Sequence, residues 1–333
     1  MKAMVLPRIA LIHERPLELR DVPEPEPAAG EILVRVHVCA ICRTDLHVIE
    51  GDLAVKMLPL IPGHQVVGTV EKLGPDSKRF EVGTRVGIAW LRHTCGECQD
   101  CRRGSENLCK RSLYTGYHAN GGYAEWAVVP EDYAYAVPAA FEDVDAAPLL
   151  CAGIIGYRAL TLSDVRPGER LALYGFGSSA HVVMQIALHR GCEVYVATRG
   201  TSHQELARRM GATWVGGTTD PPPAPVDGAI VFAPAGEIVP AALRAVRSGG
   251  TVACAGIHMS EIPAMSYEEC LFHEKKLRSV EANTRADGEG LLRESAEIPI
   301  RPSLTTFSLD DANDALIALA EDRINGSGVL LIG

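Results

Sequence analysis

Four cysteines fall within fifteen residues, at Cys95, Cys98, Cys101 and Cys109. Thiolates at such short, regular spacing fit a tetrahedral zinc with all four positions filled, which is the pattern of a structural site. The same spacing could also serve a pair of disulfides. That framework suits small exported domains, whereas this chain has 333 residues and its early apolar stretch Ile9–Ile12 is bounded by Arg8 and Glu14. No signal core is read there. The zinc reading is preferred.

At this length two domains are expected, each burying its own core. A hydrophobic content of 47% and a charged content of 22% are those of an ordinary globular protein. The formal net charge of −10, with no Lys/Arg cluster to reverse it, excludes a nucleic-acid backbone as partner. No run approaches the ~18 apolar residues of a membrane span. Ten cysteines without an export signal lead us to expect a reducing, cytoplasmic setting.

Residues 1 to about 150 read as a β-rich unit, with short runs at Ile32–Val38, Val66–Val70, Arg85–Ala89 and Tyr123–Val129 between Gly, Pro and Asp turns. After Pro167-Gly168-Glu169 the pattern becomes βαβ, the signature of a doubly wound parallel sheet. Strands are expected at Leu171–Tyr174, Val194–Ala197, Ala229–Phe232 and Thr251–Ala255, and a helix after the first, with Val182, Val183, Ile186 and Ala187 on one face. The proline-rich Thr218–Val226 cannot be helical and should join two strands directly. The tail from about Asn283 loses the βα rhythm. It offers a helix at Asp310–Glu321, the turn Asn325-Gly326-Ser327-Gly328 and a last strand, and is assigned back to the first domain. The division is thus 1–152 with 283–333, and 153–282.

Gly175-Phe176-Gly177-Ser178-Ser179-Ala180, between a strand and a helix, is a dinucleotide fingerprint: its glycines let the backbone approach a pyrophosphate at the helix N-terminus. About twenty residues on, where an NAD site expects an acid for the ribose 2′-hydroxyl, stand Thr198 and Arg199. Arg199 with the Thr198 hydroxyl suits a 2′-phosphate. NADP(H) is favoured, with NAD(H) still possible.

Three distant stretches carry ligands of the type a catalytic zinc takes, at Cys42, His64 and Cys151. Taken singly, a cysteine or histidine is more often core or surface. The stretches Cys42-Arg43-Thr44-Asp45-Leu46-His47, Gly63-His64-Gln65, the cysteine lobe, Gly116-Tyr117 with Gly121-Gly122-Tyr123-Ala124-Glu125, and Pro148–Gly153 resemble, in that order, the motifs of zinc-dependent medium-chain alcohol dehydrogenases. The resemblance runs the length of the chain. It implies an α/β two-domain fold: a GroES-like β-rich catalytic domain carrying both zincs and a Rossmann nucleotide domain, with the active site between them.

By that resemblance Cys42, His64 and Cys151 hold a catalytic zinc, while Cys95, Cys98, Cys101 and Cys109 hold a structural one. Thr44 would pass the substrate proton towards His47 by way of the cofactor ribose, Asp45 would stand behind His64, and Arg43 would contact the pyrophosphate. Trp90, five residues before Cys95, is similar in place to the tryptophan that narrows the pocket in the yeast-type branch, with Tyr117, Tyr114 and Ile154 as further pocket candidates. Small primary alcohols and aldehydes are then the expected substrates, and a dimer or tetramer the expected assembly.

A zinc that takes a bound hydroxyl from a pKa of about 15.7 to about 7 supplies roughly 12 kcal/mol, against about 3–5 kcal/mol for a positioned base. The metal is the larger effect. One departure from the pattern is Gln65, where the family has glutamate. Another is the tail, where Ser327-Gly328-Val329 lacks the family's arginine. Cys39, Cys192, Cys254 and Cys270 are read as packing residues. The competing readings are a zinc-free quinone or enoyl reductase of the same fold, and a non-catalytic zinc or thiol redox sensor.

Overall fold

In the computed structural model, which describes every residue except Ile257, Pro299 and Asn325, the run around Ile32–Val38 extends into an eleven-residue strand, β1 (Glu31–Ile41). Its side chains are buried almost throughout because neighbours pair on both of its edges. β1 ends at Ile41, and the next residue, Cys42, caps helix α1 (Arg43–Glu50). Strands β2 (Gln65–Leu73), β3 (Arg85–Ile88), β4 (Trp126–Pro130) and β5 (Ala134–Ala136) follow. The strand expected from Tyr123 begins only at Trp126, since Gly121, Gly122 and Tyr123 turn their backbone bonds onto another loop.

The second stretch alternates as read: α2 (Ala152–Leu162), β6 (Arg170–Tyr174), α3 (Ser178–His189), β7 (Glu193–Ala197), α4 (Thr201–Arg209), β8 (Trp214–Gly216), β9 (Val226–Val231), α5 (Val239–Ala245), β10 (Val246–Cys254) and β11 (Lys276–Ser279). Its six strands are parallel, in the order β8-β7-β6-β9-β10-β11. The proline-rich segment joins β8 to β9 without a helix, although β7 and β6 lie between them in the sheet. β9 stops one residue short of Phe232, and β10 begins before the expected Thr251.

The chain then returns with α6 (Arg285–Ser295), β12 (Leu304–Ser308), α7 (Ala312–Ala320) and β13 (Ser327–Leu331). α6 and β12 were not foreseen. Thr284 and Asp287 form a capping box that starts α6, a pattern visible in the sequence. α7 is shorter than the predicted Asp310–Glu321, because Leu309–Asp311 form a separate 3₁₀ turn. Asn325, the first residue of the predicted turn, lies outside the described residues.

The seven-stranded sheet runs β12-β13-β1-β2-β3-β5, with β4 also on β1, and β13 pairs antiparallel with the end of β1, Val329 opposite Ala40. The chain thus forms two compact units, residues 1–151 with 284–333, and 152–283. Within the first, Arg285 at the start of α6 bonds Glu106 of the cysteine lobe at 2.8 Å and stacks 4.7 Å from the Tyr133 ring. The lobe is thereby fastened to the returning chain. Among the described residues no single helix is long and apolar enough to cross a membrane.

In the second unit His181, on α3, is buried against the Phe176 ring at 4.5 Å. Burial, with the nearby charge of His203 adding to it, lowers its pKa to about 4. The unfolded chain takes that proton near pH 6.5, so stability is full above pH 6.5 and is lost as pH falls towards 4. The whole loss is about 3 kcal/mol. Urea unfolding at pH 7 and pH 5 should therefore differ by about 2 kcal/mol less in His181→Gln than in the parent; equal pH sensitivity of the two proteins would exclude this origin.

Candidate active site

The site begins at the last rung of one strand pair. Ala40 of β1 lies opposite Gln65 of β2, and Cys42 and His64 are the first residues beyond Ile41 and before Gln65. Two ligands 22 residues apart are thus set by one antiparallel register. Cys151 arrives from the 3₁₀ turn Ala147–Leu150, whose Leu149 and Leu150 are fully buried. Gly87 of β3 leaves room for Leu150, since a Cβ there would lie 2.8 Å from its side chain. The segment is fixed upstream too, where Asp143 bonds His37 at 2.7 Å and pairs with Arg85 at 3.4 Å.

The three side chains converge. Cys42 Sγ lies 3.3 Å from His64 Nε2 and 4.0 Å from Cys151 Sγ, and all three ligand atoms fall within 4.8 Å of one another. A tetrahedral zinc with bonds of about 2.3 Å to sulfur and about 2.0 Å to nitrogen needs sulfur–sulfur and sulfur–nitrogen spacings of roughly 3.8 and 3.6 Å. The donor set fits zinc. Cys42 also sits at the N-terminus of α1, accepting from the Thr44 N–H at 3.3 Å. The hydrogen bond with Cys151 draws the Cys42 thiol well below its usual range, against the burial that raises it and aided by His64. A thiolate is the form that ligates.

Asp45 holds this arrangement. It is 2% exposed; its Oδ1 receives His64 Nδ1 at 3.0 Å, and its Oδ2 receives the Cys42 N–H at 2.8 Å and the Tyr123 hydroxyl at 3.0 Å. The bond to Nδ1 aims Nε2 at the thiol. Sequence reasoning placed Asp45 here through the resemblance and gave Tyr123 no role. Gln65 is buried, and its Nε2 finds no partner among the described residues.

Trp90 lies outside the main core of its unit. It stands edge-on to His64, centroids 4.9 Å apart, and stacks on Tyr114 at 4.9 Å and Tyr117 at 5.8 Å, so an aromatic wall borders the trio. Tyr117 is held by its hydroxyl, which donates to the Ala54 carbonyl at 2.6 Å. Ile154 belongs to the other unit and is fully buried on α2, with no side-chain surface left for a pocket. Thr44 and His47, three apart on α1, share a face and are each half-buried; His47 Nδ1 bonds Asp52 at 2.7 Å. Arg43 is exposed and ion-paired with Asp322.

The cysteine lobe forms a second cluster. Its four sulfurs lie within 4.8 Å of one another, with Cys98–Cys101 at 3.5 Å and Cys95–Cys101 at 3.9 Å. A disulfide needs about 2.05 Å, and all four are free thiols. The disulfide alternative is set aside. Backbone N–H groups of Cys95, Cys98, Cys101 and Arg111 donate to these sulfurs at 3.3–3.5 Å, as suits thiolates around a metal.

In the second unit the fingerprint turns from β6 into α3. Gly175 has φ +89°, and a Cβ there would meet the Ala233 nitrogen at 2.9 Å. A Cβ on Gly177, which caps the helix, would meet nothing within 4 Å. The open, side-chain-free helix end fits a pyrophosphate. Ala180 and the Phe176 ring are buried, so Phe176 offers only its backbone, while Ser178 and Ser179 are half-buried. Thr198 is buried, its hydroxyl 3.5 Å from the Arg199 carbonyl; Arg199 itself is exposed. Of the two, Arg199 is the group open to a phosphate.

Comparison with known proteins shows the family and the fold. Residues 28–139 match the family model of the alcohol dehydrogenase GroES-like domain, and residues 180–297 that of the zinc-binding dehydrogenase. The chain is 48% identical to the "Probable alcohol dehydrogenase AdhA" of Mycobacterium tuberculosis, over 100% of this chain and 97% of that one. It is 35% identical to an alcohol dehydrogenase of Geobacillus stearothermophilus, covering 100% of both. Among solved structures, AibC superimposes with a TM-score of 0.92 at 28% identity, over 100% of this chain and 96% of the other.

Where metal binding is folding energy, Cys98→Ser should lose one zinc per chain and lower the melting temperature by about 5 °C or more. Metal analysis beside a thermal melt measures both, and an unshifted melt after zinc loss would contradict a structural role.

Proposed function

The chain belongs to the zinc-dependent medium-chain alcohol dehydrogenases and is an NAD(P)-dependent oxidoreductase; on that basis we propose that it interconverts small primary alcohols and aldehydes, with NADP(H) as hydride carrier. The observation that carries the reading is the convergence of Cys42, His64 and Cys151 beside an aromatic wall. A zinc held by these three would supply Lewis-acid polarisation of the substrate oxygen at its fourth position.

The protein's own groups do the rest. Asp45 aims His64, Thr44 and His47 offer hydroxyl and imidazole on one helix face to carry away the substrate proton, and the Trp90–Tyr114–Tyr117 stack narrows the space against bulky secondary alcohols. Gly175 and Gly177 leave the end of α3 open to the pyrophosphate. Arg43, ion-paired with Asp322, would offer its guanidinium to a cofactor phosphate. Arg199 supports the 2′-phosphate, being exposed at the end of β7 where an acid would select NAD(H).

Ten free thiols suit a cytoplasmic setting. Association into a dimer or tetramer is supported by β11, an edge strand that follows the exposed Tyr267 and Phe272 in the chain. The converged trio disfavours a zinc-free reductase, and turnover itself separates an enzyme from a thiol sensor.

Cys42→Ser should remove one zinc and take turnover below detection, since the metal supplies the larger share of the stabilisation, while the fold is kept. Retained activity in a short-alcohol assay would refute its ligand role. Arg199→Asp should shift the NADP(H)/NAD(H) ratio of kcat/KM by at least about tenfold towards NAD(H). If the ratio stays put, the phosphate assignment is wrong.

A further inference from the structure

We propose that Tyr123 is a positioning residue for the metal-binding imidazole, its buried hydroxyl fixing Asp45 and through it His64. The proposal rests on the catalytic-zinc reading above. Tyr123 belongs to the motif Gly121-Gly122-Tyr123, which no step of the chemistry has yet used, and its side chain is fully buried.

The hydroxyl donates to Asp45 Oδ2 at 3.0 Å, and the Cys42 N–H donates to the same oxygen at 2.8 Å. With two donors pinning Oδ2, the carboxylate cannot rotate to exchange its oxygens. Oδ1 is left to His64 Nδ1, 3.0 Å away. That bond decides which ring nitrogen carries the proton, leaving Nε2 as the metal-facing lone pair. A phenylalanine ring would fill the same space; only the hydroxyl adds the third donor to a carboxylate that is 2% exposed. An idle hydroxyl at such a depth would be unfavourable.

The backbone carries the same message. Gly121 N–H donates to the Ile61 carbonyl at 2.7 Å, Gly122 N–H to Gly63 at 2.9 Å and Tyr123 N–H to Pro62 at 3.0 Å. These three bonds fix the main chain immediately ahead of His64. So close an approach requires glycine. A Cβ on Gly121 would lie 1.9 Å from the Gly63 carbonyl oxygen, and a Cβ on Gly63, at φ +95°, 2.3 Å from the Tyr123 ring. Tyr123 therefore holds His64 twice, through the Pro62 carbonyl two residues ahead of it and through the carboxylate behind it.

The test follows release of zinc to excess chelator from the intact protein, with Tyr135→Phe as control, since the buried Tyr135 hydroxyl has no partner among the described residues. Wild type and Tyr135→Phe should release their zinc at equal rates. Tyr123→Phe should remain folded at the assay temperature and release one of two zincs about tenfold faster, the lower end of the effect of outer partners on metal affinity, with the cobalt-substituted absorption bands shifted. A cycle with Asp45→Asn tests the route: if Tyr123 acts through Asp45, the double variant releases zinc no faster than Asp45→Asn alone. Unchanged release in Tyr123→Phe, or additive effects in the cycle, would overturn the positioning role. Only one zinc in the wild type would instead defeat the catalytic-zinc reading on which it stands.

Discussion

A carboxylate sealed in the interior of the first unit organises the rest. Burial pushes the Asp45 pKa up, and the facing His64 draws it down. An ionised carboxyl away from water is tolerated only where it is paired and hydrogen-bonded. Asp45 meets that demand with a main-chain N–H, an imidazole and a phenol, drawn from three segments that approach one another nowhere in the sequence. Each donor satisfied is also a segment located. The charge that is hardest to bury is thus the one that sets the helix start at Cys42, the ring at residue 64 and the loop at residue 123.

The two cysteine-bearing clusters show opposite ways of bringing candidate metal ligands together. The lobe gathers its four sulfurs from one local excursion, and peptide N–H groups of the same excursion support them. The trio borrows rigidity from the sheet, two ligands from the end of β1 and the start of β2 and one from a turn wedged against β3. A local cluster needs little from the fold and can stabilise it. A dispersed cluster needs the fold first, and in return can leave one coordination position without a protein ligand.

That contrast explains what was legible in the sequence. The lobe could be read from spacing alone, because ligands three to eight residues apart have few other ways to meet. The trio could not. Separations of 22 and 109 residues say nothing of distance, and only the ordered family motifs brought Cys42, His64 and Cys151 together. The βα rhythm of the second unit was legible for the same local reason, whereas α6 and β12 were hidden in a tail whose weak periodicity masks the capping box at Thr284 and Asp287. The burial of Thr198 and Ile154 could not be read from the sequence, because it depends on the neighbouring chain, which residue type does not reveal. Tyr123 reads as one more aromatic in a β-rich stretch until its hydroxyl is placed.

Gln65 joins these threads through charge. With a divalent zinc balanced by two thiolates, Asp45 would add one negative charge beside the trio. A glutamate at position 65 would add a second at the same depth, beside a carboxylate that already takes three donors. The neutral amide avoids that repulsion and leaves Asp45 as the carboxylate that bonds both Cys42 and His64. The electrostatic stabilisation of the buried site then depends more heavily on the donors that Asp45 retains, including the hydroxyl of Tyr123.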